Sequence, residues 1–111
     1  MTLDDLRRRA LAQPGAVEAD HHGIPSFRVG GKIFATIHLK EPRLMVKLDP
    51  EDQHNLAEAH PGVVTPVPGS WGRKGSTFVA YQTADAALID TLLAMAHGGA
   101  VAKLPRSKRP V

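Results

Sequence analysis

The chain is 111 residues long, 42% apolar and 23% charged, which suits one globular domain with its own core. It contains no cysteine, which excludes a disulfide framework, a thiolate metal site and a thiol nucleophile. The net charge is +3, yet Lys103, Arg106, Lys108 and Arg109 supply four of the fourteen basic residues, and the chain before them sets ten basic side chains against eleven acidic ones. The basic pI near 9.6 therefore belongs to the tail and is no simple argument for nucleic acid.

The opening MTLDDLRRRALAQPG does not read as a signal peptide, because Asp4, Asp5 and Arg7 to Arg9 interrupt any apolar region. No stretch approaches the roughly 18 continuous apolar residues of a membrane span. A soluble, cytoplasmic protein without a membrane partner is the expectation. A first helix is predicted from Thr2, its cap, with Leu3, Leu6, Ala10 and Leu11 as its apolar stripe and Pro14-Gly15 as its end. A hairpin follows: SFRV and KIFATI flank Gly30-Gly31, a pair suited to a tight primed turn. A two-residue loop would set Phe27 opposite Phe34, whereas a three-residue loop would align Phe27 and Val29 with Ile33, Ala35 and Ile37. His21 and His22 read as polar residues ahead of this hairpin.

After Glu41-Pro42 a third strand, RLMVKL, places Leu44, Val46 and Leu48 on one side. Asp49-Pro50-Glu51-Asp52 starts a second helix that runs to about His60. Val63 to Val67 reads as a short edge strand limited by Pro66 and Pro68. PGSWGRKG, from Pro68 to Gly75, reads as a loop, and STFVAYQ as a strand. A last helix, capped by Thr83 or Asp85, buries Leu88, Leu92 and Met95, flanked by Ile89 and Leu93, and breaks at Gly98-Gly99. Residues 1–104 thus form one domain, and 105–111 a disordered basic tail. The simplest assembly is an α+β fold, an antiparallel sheet with the first and last helices on one face.

Candidate chemistry is sparse. His54 and Glu58 share a helical face, but no third ligand joins them or the adjacent pair His21 and His22, so no metal and no cofactor is expected. Ser26, Ser70, Ser76 and Ser107 lie in no nucleophile pattern, and the GGK of Gly30 to Lys32 lacks the following helix of a phosphate loop. No enzymatic activity is predicted. Basic residues carry the better case: Arg28 and Lys32 flank the first turn, Lys40 and Arg43 the second, and Arg73-Lys74 occupy the glycine-rich loop. They can meet phosphates from a β-ribbon, or simply blunt exposed strands. Trp71, between those glycines, is read as a core plug, with an exposed platform for a base or partner as the alternative.

Taken together, HGIPSFRVGGKIFATI, LMVKLDPEDQHNL, SWGRKGSTFVAYQ and the helix ending near VAKLP resemble the MmcQ/YjbR family. The resemblance implies a frataxin-related (CyaY-like) fold and, by analogy with paired β-wings, a non-enzymatic DNA-binding role. Under it, DNA would meet Arg28, Lys32, Lys40, Arg43, Arg73, Lys74, Lys103, Arg106, Lys108 and Arg109, with Trp71 in the binding loop. Iron binding of the frataxin type goes with an acidic first helix, whereas this one carries Arg7-Arg8-Arg9. The rival class is a small interaction or ligand-binding module without nucleic acid.

Overall fold

Two helix starts are fixed by side chains placed for that purpose. Thr2 Oγ1 accepts the Asp5 amide at 3.1 Å and opens α1 (Leu3–Leu11). Asp49 accepts the Glu51 amide at 2.9 Å and opens α2 (Pro50–Ala59), where Pro50 occupies a position that needs no amide. The computed structural model describes residues 1–110 and adds α3 (Ser70–Arg73), α4 (Ala86–Ala102) and a closing 3-10 turn (Arg106–Lys108). The strands are β1 (Val17–His21), β2 (Ile24–Val29), β3 (Lys32–His38), β4 (Arg43–Lys47), β5 (Val64–Pro66) and β6 (Ser76–Val79). They form one six-stranded sheet in the order β1-β2-β3-β4-β6-β5, every pair antiparallel. This is the antiparallel α+β fold that the sequence predicts.

Register divides the side chains between two faces. Phe27, Ala35, Val46 and Thr77 form one row, and Ile37, Leu44, Val79 and Val64 another. Both rows are buried, together with Leu6 and Ala10 of α1 and Ile89, Leu92, Leu93 and Ala96 of α4. The intervening row, Ser26, Thr36, Met45, Phe78 and Thr65, points away from these helices. The Gly30-Gly31 turn has two residues, with φ of 58° and 81°. Its register matches neither simple alignment, because Phe34 is an extra residue: Arg28 pairs with Ile33 and Phe27 with Ala35. The bulge turns consecutive residues, Phe34 and Ala35, into the core.

Five expectations are corrected. A strand, β1, precedes the hairpin. It was illegible because it is an outer strand with no fully buried side chain, and His22 (φ 52°) with Gly23 makes its primed turn. Ser70–Arg73 is a single helical turn within the segment read as a loop. The buried stripe of α4 centres on Ile89, Leu92, Leu93, Ala96 and Ala100 rather than on Leu88 and Met95, which are half-buried. Nor does α4 break at Gly98-Gly99. Ala96, His97 and Ala100 are buried around those glycines, and His97 Nε2 donates to the Pro14 carbonyl at 2.7 Å while its ring meets Phe34 edge-on. Such packing outweighs the roughly 1 kcal/mol that each glycine costs a helix. Finally, residues 106–108 of the expected tail form a 3-10 turn that lies against the Gly30-Gly31 turn, with Leu104 buried and Arg109 Nε donating to the Leu104 carbonyl at 3.1 Å, while residue 111 lies outside the described residues.

A Cβ at Gly98 would meet nothing within 4 Å. Gly98→Ala should therefore stabilise the protein by about 0.5–1 kcal/mol in chemical denaturation. A lowered midpoint would contradict the continuous helix.

Candidate functional site

The long helices share the Phe27–Val46 face, so the opposite face stays open. There Ile24, Ile33, Met45 and Phe78, with His21 and His38, line a shallow groove of about 420 Å³. Thr36 Oγ1 lies 3.3 Å from His38 Nε2, and the His38 ring meets Phe78 edge-on. Burial, and then the positive charge of Arg43, lower the His38 pKa and favour the neutral imidazole.

A second cavity, of about 380 Å³, opens at the end of the sheet between the ends of β3 and β4, α3 and the last turns of α4. Four lysines line it: Lys32 from the start of β3, Lys47 from the end of β4, Lys74 after α3 and Lys103 after α4. Asp49 is the one acidic residue in its wall, and Trp71 lines both this cleft and the open-face groove. Among the described residues, none of the four ammonium groups is ion-paired. The arginines of α1 differ. Arg7 pairs with Glu18 at 2.9 Å, Arg8 with Asp5, and Arg9 with Asp90 at 2.7 Å and Asp5 at 3.3 Å.

The short helix α3 is held by backbone proximity. A Cβ on Gly72 would overlap the Val67 carbonyl oxygen, and one on Gly75 the Leu48 carbonyl oxygen. Gln53, buried on α2, donates its amide to Gly72 O (2.9 Å), Ser76 O (3.0 Å) and Thr77 Oγ1 (3.1 Å), sharing two hydrogens among three acceptors. Thr77 Oγ1 in turn donates to Gly75 O at 2.9 Å. The glycines and Gln53 thus do the anchoring that a core tryptophan would have done. Trp71 is 65% exposed, which corrects its reading as a core plug.

The basic residues singled out from sequence do not form one surface. Lys32, Lys74 and Lys103 meet in the cleft, with Arg73 exposed beside Lys74 on α3. Arg106 and Lys108 are exposed on the turn that lies against Gly30, whereas Arg109 is engaged with carbonyls of its own segment. Lys40 and Arg43 lie at the other end of the strands. Arg43 pairs with Glu41 at 3.0 Å and covers the Phe78 ring at 3.8 Å. Arg28 donates to Ser26 Oγ at 3.2 Å and is half-buried on the sheet. Lys47 was missed, although strand alternation with Val46 and Leu48 already turned it outward. Gln53 gave no signal.

His54 and Glu58 do share a helical face, 3.3 Å apart and largely exposed. Among the described residues no three His, Asp or Glu side chains converge, and no helix is long and apolar enough to cross a membrane.

The family model YjbR matches residues 11–98. The chain belongs to the YjbR family. A crystal structure of Deinococcus radiodurans protein DR2400, described as a DUF419 family-model domain, is 26% identical with a TM-score of 0.82, over 96% of this chain and 84% of that one. No curated protein matches the chain. In this YjbR chain three of the cleft lysines fall inside the matched span, and Lys103 lies just beyond it.

Two consequences can be measured. Gly72→Ala should cost about 2–3 kcal/mol of stability through overpacking, and a wild-type midpoint would contradict the close approach to Val67. His38 has a lowered folded pKa, so the unfolded chain takes its proton first and stability falls as pH drops below about 6.5. His38→Gln should lose stability less steeply on acidification, as read from denaturation midpoints between about pH 7 and 5. Equal slopes would contradict the shift.

Proposed function

We propose that this protein is a non-enzymatic DNA-binding member of the YjbR family, holding phosphates at the lysine cleft with weak, largely sequence-independent affinity. The observation that carries this reading is the convergence of Lys32, Lys47, Lys74 and Lys103, none of them ion-paired among the described residues. Cations so clustered repel one another, and a polyanion relieves that cost while releasing counterions. Arg73, Arg106 and Lys108 extend the same end of the molecule. The β3–β4 turn is the weaker wing, since Arg43 is already paired with Glu41 and leaves Lys40 alone. The non-enzymatic part of the reading rests on the serines and on the family. Ser26 is committed to the Ala19 carbonyl at 2.7 Å, and the YjbR family is not known as an enzyme family.

A labelled DNA of about 20 nucleotides should lose roughly a hundredfold in affinity between about 50 and 200 mM salt, as four phosphate contacts require. Lys47→Ala and Lys103→Ala should each flatten the salt slope by about one unit with melting temperature unchanged, while Lys40→Ala leaves the slope alone. Binding that ignores salt, or no binding at low salt, would sink the proposal. A second reading, a small-ligand module, draws on the apolar open-face groove. Its ligand would bind independently of salt and of the Lys103 variant, because Lys47 lines both the groove and the cleft.

A further inference from the structure

We propose that Trp71 is a stacking platform for an unpaired base, so that the cleft takes single-stranded nucleic acid in preference to duplex. The inference rests on the phosphate-binding reading above and names the form of the partner. Its first support is the distribution of aromatic side chains. Phe27, Phe34 and Tyr81 are buried, and Phe78 lies beneath the Arg43 guanidinium at 3.8 Å. Among the described residues, Trp71 is therefore the one large aromatic ring exposed to solvent, and at 65% it is more exposed than any other large apolar residue.

Exposure alone would say little, but this ring is held out on a fixed support. Gly72 and Gly75 have no room for a Cβ against the Val67 and Leu48 carbonyls, and the buried Gln53 amide ties Gly72 to β6. The backbone under the ring is thus already fixed when a flat partner lies on it, and only the two side-chain torsions of Trp71 are ordered on binding. The third support is position. Trp71 lines both the lysine cleft and the open-face groove, together with Ile33, Lys47 and Ser76, and Lys74 Nζ lies 5.9 Å from the ring centroid. A base on the ring thus carries its flanking phosphates toward Lys74 and Lys47. Bases within a duplex already stack on their neighbours and offer no free face, whereas an unpaired base does.

Trp71 is the single tryptophan, so its emission reports directly. The protein should be titrated with oligothymidylate of about 15 nucleotides and with a blunt hairpin duplex of equal length, at low salt. Oligothymidylate should quench the emission and bind about tenfold more tightly than the duplex. Trp71→Ala should weaken the single-strand complex about tenfold, leaving duplex affinity, salt slope and melting temperature unchanged, and Trp71→Phe should restore most of the loss. If Lys47→Ala weakens binding while Trp71→Ala does not, or if Trp71→Ala weakens both forms equally, the stacking proposal fails and the phosphate reading stands. Thymidine monophosphate binding as tightly as the oligonucleotide also overturns it, because a strand is then not the partner. Absence of binding by either form overturns both.

Discussion

A sheet covered by helices on one face only must turn alternate side chains into that cover, and here strand periodicity is broken only at the bulge that buries Phe34 beside Ala35. On the covered face Phe27, Phe34, Ile37, Leu44 and Val46 are fully buried, each contributing roughly 1.5–3 kcal/mol. The same alternation drags Thr77 into that face, with no exposed surface. A hydroxyl there is costly unless it is bonded. It donates to Gly75 O and accepts from Gln53, so the requirement of one buried hydroxyl draws α2, β6 and the turn carrying α3 together. The rigidity beneath Trp71 is thus a consequence of core chemistry.

Charge is sorted as sharply as polarity. The arginines of α1 lie near carboxylates from α1, β1 and α4, and the ion pairs of Arg9 with Asp90 and Arg7 with Glu18 tie the N-terminal helix to its neighbours. The hydrogen bonds that Arg9 donates to Asp90, and then to Asp5, raise its pKa further. At the far end of β4 the lysines have no such partners among the described residues. A net charge of +3 is therefore a poor description of the surface: the arginines of α1 are compensated by carboxylates, and the cleft lysines are not ion-paired among the described residues.

What could be read from sequence follows from how locally each feature is determined. The caps at Thr2 and Asp49, the primed turn at Gly30-Gly31 and the core stripe Leu44-Val46-Leu48 are set by neighbours a few residues away, and all are found. The family resemblance also holds, and with it the antiparallel α+β architecture. Features that failed depend on distant partners. β1 is polar because an edge strand buries little, so VEADH carries no alternation to detect. The α4 glycines persist because His97 and Ala100 pack on other elements. Of the site, Lys32, Lys74 and Lys103 were legible as basic residues. Their convergence with Lys47 was not, since the four belong to different elements. Trp71 was misread because its loop looked in need of an anchor that Gln53, from another helix, provides.

The C-terminal segment shows how charges outside the family-matched span join those inside it. Gly30 is in the left-handed region at φ 58°, which explains a glycine by its turn, but a second constraint acts there. A Cβ at this position would lie 2.6 Å from a Leu104 methyl and 3.0 Å from the Lys108 carbonyl oxygen. The hairpin turn and the C-terminal turn therefore lie in close contact, and a Cβ at Gly30 would force the Leu104 methyl aside. Leu104 is buried in that contact, so the chain beyond α4 is drawn toward Lys32 instead of trailing into solvent. Arg106 and Lys108 consequently stand at the same end of the molecule as the lysine cleft, although they lie past residue 98, where the family match stops. Their charges add to the field at the cleft because the two turns lie in contact.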